Sequence, residues 1–126
     1  MKKLFWVVLA CASLVLGCAN LQQHLEWASY PGALKRGRCA QYAVSVVTDL
    51  HRRHVESYYV EYEWATKKES GAHAVAIFRD DSGGLSIVDN ERPFPRPLRP
   101  AKSVLELIQQ NCPEAKHVRG SPEIKL

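Results

Sequence analysis

The 126-residue chain contains no apolar run long enough to cross a bilayer. Its longest, Leu4 to Leu16, falls short of the ~20 residues a spanning helix needs. No internal repeat is present, which excludes a solenoid or an array. Charge of one sign is scarce too: 17 basic against 13 acidic residues give a formal net charge of +4, and Lys2 and Lys3 supply part of it. So small an excess argues against a nucleic-acid-binding surface. Metal-ligand spacing is also missing. His51 and His54 lie three apart, but no cysteine or further histidine joins them, so His51-Arg52-Arg53-His54 reads as a solvated helix end that complements the helix dipole.

What is present begins at the N-terminus. Lys2 and Lys3 precede an uncharged apolar stretch, and Val15-Leu16-Gly17-Cys18 sets a small residue before a cysteine. This resembles a bacterial lipobox, in which the chain is cut before a lipidated cysteine. The organisation that follows is a signal peptide over 1–17, a lead-in over 18–38 acylated at Cys18, and a single domain over 39–126, a length that supports one modest core. The expected location is the periplasmic side of a bacterial membrane, held by acyl chains. Ala19 rather than aspartate after the cysteine favours the outer membrane, by analogy with other lipoproteins. Cys39 and Cys112 remain in the mature chain, and an even pair in an oxidising compartment is compatible with a disulfide.

Within the lead-in, Asn20 to Trp27 reads as a short helix ended by Tyr30-Pro31-Gly32. Residues 39–55 read as the main helix, with Cys39, Ala43, Val46, Val47 and Leu50 on one stripe and Gly37 permitting its sharp start. Three strands follow, over about 58–64, 72–79 and 85–90, the last two joined by Asp80-Asp81-Ser82-Gly83-Gly84. Arg92 to Pro100 alternates with proline and cannot form an interior strand, so an extended surface loop is expected. Ser103-Val104-Leu105-Glu106 fits a capping box at the start of a last helix, which Asn111-Cys112-Pro113 stops. Ala115 to Val118 is a candidate edge strand. The fold class is α+β, with the helix carrying Cys39 packed on a small antiparallel sheet.

Cys39, His73 and Asp89 stand out chemically. A thiol at the first turn of a helix is favoured as thiolate by unpaired backbone donors and the dipole. It needs a base, and the base needs a third group to fix its tautomer. An odd-length hairpin loop over Asp80 to Gly84 pairs odd residues with odd ones, which sets His73 and Asp89 on one face, opposite or diagonal. Val75, Ile77, Leu85 and Ile87 would line that same face toward the Cys39 helix, with His73 within hydrogen-bond reach of the sulfur. Glu91 shares the parity and is the alternative acid.

Gly37-Arg38-Cys39-Ala40-Gln41-Tyr42-Ala43, Gly71-Ala72-His73-Ala74-Val75 and Ile87-Val88-Asp89-Asn90 together resemble the transglutaminase-like core of the papain-like fold, in particular the bacterial transglutaminase-like cysteine proteinases. The resemblance covers about residues 37–91. It implies Cys39 as nucleophile, His73 as base and Asp89 as orienter, acting on a protein or peptide amide, with cell-wall peptides suggested by location. It implies no cofactor. Members of that group often place acidic, calcium-linked residues beside the cysteine; here the flanks are Arg38, Ala40 and Gln41, so no metal is expected. The Cys39 amide, with a side chain from Asn20 to Trp27, is the candidate oxyanion donor set. The contrasting expectation is a non-catalytic lipoprotein binding module with a Cys39–Cys112 disulfide.

Overall fold

A computed structural model describes residues 26–120 and 123–126. The signal stretch, Cys18 and nearly all of the expected Asn20–Trp27 helix lie outside the described residues. A 3-10 turn over Trp27–Ser29 leads into α1 (Cys39–Arg52). Then come β1 (Ser57–Ala65), β2 (Ser70–Arg79), β3 (Leu85–Val88), β4 (Arg96–Pro97), α2 (Val104–Gln109) and β5 (Ala115–Val118). The strands form one sheet in the order β4-β3-β2-β1-β5, every pairing antiparallel. The domain is α+β, with one helix on each face of a five-stranded sheet. Among the described residues no helix is long and apolar enough to cross a membrane.

The hairpin follows its turn chemistry. Arg79 pairs with Leu85 and Ile77 with Ile87, so the loop is Asp80 to Gly84 and odd positions face odd ones. The Asp80 carboxylate accepts the Ser82 amide at 2.9 Å and the Ser86 hydroxyl at 2.8 Å, an Asx turn that closes the loop. At α2 the Ser103 hydroxyl accepts the Glu106 amide at 3.2 Å, while the Glu106 carboxylate takes the Lys102 amide instead of closing the expected capping box on Ser103. Ala115–Val118 pairs with β1 as the edge strand, with a register shift between Glu63 and Trp64. The proline-rich segment contributes two residues, β4, at the opposite edge, where a missing N–H is tolerated.

The two faces of the sheet carry separate cores. One buries Trp27, Tyr42, Val46, Leu50, Ala76, Phe78 and Val88 beneath α1. The other buries Val60, Tyr62, Val75, Ile77, Leu85, Ile87, Leu107 and Ile108 beneath α2. This corrects the expectation that Val75, Ile77, Leu85 and Ile87 face the Cys39 helix: they face α2. Strand β2 is buried without a break from Ala74 to Phe78, because helices cover both its faces. The stripe of α1 is also shifted. Tyr42 is fully buried and donates its hydroxyl to the Trp27 carbonyl at 3.0 Å, whereas Cys39 and Val47 are only half-buried.

Candidate functional site

At the end of the sheet where β2 begins and β3 stops, a cavity of about 750 Å³ opens. Its walls include Cys39, His73, Asp89, Glu91 and Cys112, with Lys35 and Arg36 from the α1 approach. The residues singled out by sequence therefore meet at one place, and they reach it from different layers.

Cys39 is the first residue of α1. The chain turns into the helix through Gly32 at φ 89° and Gly37 at φ 75°. Gly32 is required twice over: its backbone is left-handed, and a Cβ there would stand 2.8 Å from the Arg38 carbonyl oxygen. The approach loop is tied to the end of β3. The Leu34 amide donates to the Asn90 carbonyl at 2.7 Å, and the Asn90 side-chain amide donates to the Lys35 carbonyl at 2.8 Å. Asn90 is 2 % exposed, and these two bonds hold the helix start against the strand end. Burial, the bond to Glu61 and the neighbouring Cys39 push the Tyr59 phenol up to about 12.

His73 lies on the α2 side with Tyr62, its register partner, whose ring meets the imidazole edge-on at 5.8 Å between centroids. Continuing the hairpin register sets Asp89 across from Val75 and Glu91 across from His73, so His73 and Asp89 are diagonal neighbours. His73 Nε2 stands 3.9 Å from Asp89 Oδ1, an ion-pair distance rather than a hydrogen bond. Among the described residues no hydrogen bond joins the Cys39 thiol to His73, so the expected contact is open in this structure. Catalytic contacts are often long before substrate arrives.

Asp89 is held on every side. Its Oδ1 accepts the Glu91 and Arg92 amides, each at 2.9 Å, and its Oδ2 accepts Arg96 Nη2 at 2.7 Å. Burial alone would raise this carboxyl, but His73, the Arg92 amide and the Arg96 guanidinium outweigh it and hold it at about 2. Asp89 is therefore ionised throughout the physiological range. Burial, with the Asp89 charge second, pushes the Tyr42 phenol well above its usual range.

Two features escaped sequence reasoning. Arg96 falls in the expected extended surface loop, and nothing local in the sequence marks it as a partner of Asp89. Cys112 was read only as a bridge candidate for Cys39, yet its thiol lies against Tyr62, and burial together with that neighbour raises the phenol. Both cysteines carry free thiols, and both line the cavity. One donor proposal is also revised. Trp27 stacks on Phe78 at 5.1 Å in the α1 core and does not line the cavity, while Asn20 to Leu25 lie outside the described residues; the Cys39 amide, in the unpaired first turn of α1, keeps its candidacy.

The side chains of His73, Asp89 and Glu91 offer ligand atoms within 4.8 Å of one another. A cation drawn there would meet the Arg96 guanidinium already seated on Asp89, and both Asp89 oxygens have donors. The cluster is better suited to orienting an imidazole than to holding a metal.

No family model, curated protein or solved structure matches the chain. The fold and the cavity define an α+β domain with a thiol, an imidazole and a buried carboxylate in one cleft.

Proposed function

We propose that this chain is a transglutaminase-like cysteine amidase or peptidase with a papain-like core, anchored through Cys18 on the periplasmic side of a bacterial membrane, outer membrane favoured. The observation that carries the reading is the diagonal His73–Asp89 pair, 3.9 Å apart, in the cavity that Cys39 enters at a helix start. With Nε2 turned to Asp89, Nδ1 is the nitrogen left to exchange a proton with thiol and substrate. Cys39 Sγ attacks the carbonyl carbon of an amide as His73 takes the thiol proton. The tetrahedral oxyanion is stabilised by the Cys39 amide, and collapse breaks the C–N bond, the amine leaving with the proton from His73. Water, deprotonated by His73, then attacks the thioester carbon and releases the acid and the thiol. Substrates in this reading are protein or peptide amides, cell-wall peptides among them.

The reading is tested by alkylating the non-reduced protein with iodoacetamide across pH and mapping the modified peptides. An activated Cys39 reacts below about pH 7 much faster than a free thiol, and His73→Ala abolishes the excess rate. Cys39 reacting no faster than free cysteine would sink the enzyme reading. The second reading, a binding module, is favoured by the presence of Cys112 on the wall of the same cavity as Cys39. Recovery of a Cys39–Cys112 peptide that persists in the active, non-reduced protein would establish it.

A further inference from the structure

Arg96 sits between Pro95 and Pro97, whose rings fix the backbone on either side of it. Its side chain is only 17 % exposed, unlike a solvated loop arginine. The guanidinium spends its donors on four acceptors. Nη2 donates to Asp89 Oδ2 at 2.7 Å and Nε to Asn111 Oδ1 at 2.8 Å, while Nη1 reaches the Arg92 carbonyl at 2.9 Å and the Phe94 carbonyl at 3.1 Å. Its carbon stands 5.7 Å from the centre of the Phe94 ring. One side chain thus joins the end of β3, the β3–β4 loop and the end of α2.

An ion pair kept only for stability would not require this geometry. The consequence falls on the carboxylate: Arg96 fixes Oδ2, the Glu91 and Arg92 amides fix Oδ1, and the carboxylate plane has no freedom to turn. Oδ1 is the oxygen that faces His73 Nε2. We propose that Arg96 is a positioning residue of the site, which, braced by Asn111, locks the Asp89 carboxylate in the orientation that selects the Nε2–H tautomer of His73. This rests on the reading of Cys39, His73 and Asp89 given above. A lysine cannot substitute, because a point charge does not bridge four acceptors in a planar fork.

The experiment compares the full-length chain with Arg96→Met, Arg96→Lys and Asn111→Ala. The readouts are the ¹⁵N imidazole resonances of His73, which report the tautomer, and the rate of Cys39 alkylation by iodoacetamide. In the unsubstituted protein the Nε2–H form dominates at about pH 8. In Arg96→Met and Arg96→Lys the resonances move to those of a tautomer mixture, and alkylation slows by about tenfold or more, the scale of a misoriented catalytic group. Asn111→Ala, which keeps the charge and leaves the Asp89 contact in place, gives the same change at about two- to threefold. Unchanged tautomer and rate in Asn111→Ala and Arg96→Met overturn the proposal; if Arg96→Met does not fold, an unchanged Asn111→Ala suffices to overturn it. Slow Cys39 alkylation in the unsubstituted protein defeats the enzyme reading instead, and the tautomer comparison still decides the role of Arg96.

Discussion

The two faces of the sheet are built differently. Under α1 the core is aromatic, with Trp27 stacked on Phe78 and Tyr30 edge-on to Tyr42, beneath a fourteen-residue helix. Under α2 it is mainly aliphatic, with Val60, Val75, Ile77, Leu85 and Ile87 around the single buried ring of Tyr62, beneath a six-residue helix and a proline-rich edge. Cys39 belongs to the first layer, while His73 shares the second with Tyr62. The thiol and the imidazole are therefore positioned by separate cores, brought into register at one end of the sheet by Asn90 and Asp89. Chemistry assembled across two layers is sensitive to their relative placement, and damage to either core need not have the same functional outcome.

The largest test of this contrast pairs Tyr42→Ala with Leu107→Ala. Both side chains are buried, and truncation costs about 3 to 5 kcal/mol for the aromatic residue and about 2 to 4 for the leucine, measured by urea unfolding. Tyr42→Ala also loses the bond to Trp27 and slows Cys39 alkylation, because α1 loses its seat. Leu107→Ala leaves the alkylation rate within about twofold at temperatures where it is folded. Equal functional loss in the two variants would break the two-layer distinction.

Asp89→Asn is next. A carboxyl held at about 2 in the fold, against about 3.9 when unfolded, stabilises the native state above pH ~4 and loses that contribution as pH falls through about 2. The substitution therefore lowers unfolding free energy by about 2 to 3 kcal/mol at neutral pH, and the gap to the natural protein narrows as pH drops from about 4 to about 2. Denaturant titrations at several pH values read this directly, and a gap independent of pH would contradict the assigned contacts. The smallest effect concerns Leu34, which is 70 % exposed with φ 57° in the α1 approach. Leu34→Gly relieves the left-handed strain and raises stability by up to about 1 kcal/mol in thermal unfolding, with the Asn90 bond retained.

Much of this arrangement is legible in the sequence. The odd-length loop Asp80 to Gly84 fixes residue parity, and parity alone brings His73 and Asp89 onto one face. Helix start and stop residues bound α2, and the edge strand at Ala115–Val118 follows from its position after a helix stop. The side of the sheet on which α1 packs is not legible, because β2 is apolar at both parities from Ala74 to Phe78, and an unbroken apolar run offers either face. That run did carry a usable signal: burial on both sides. Tyr42 is not legible as a core residue because its hydroxyl needs a buried partner, which the fold supplies fifteen residues upstream at the Trp27 carbonyl. Arg96 was missed because its four acceptors come from three segments that only the folded chain assembles.

The outer strands have a consequence for how the sheet can be extended. At one edge β4 offers two residues, one of them Pro97, which has no amide proton to donate. At the other, β5 is four residues long, with Lys116 and His117 exposed along it. Both borders are short and carry proline or charge, which disfavours the addition of a sixth strand. Whatever enters the cavity at the end of the sheet therefore meets side chains and turns rather than a backbone ladder.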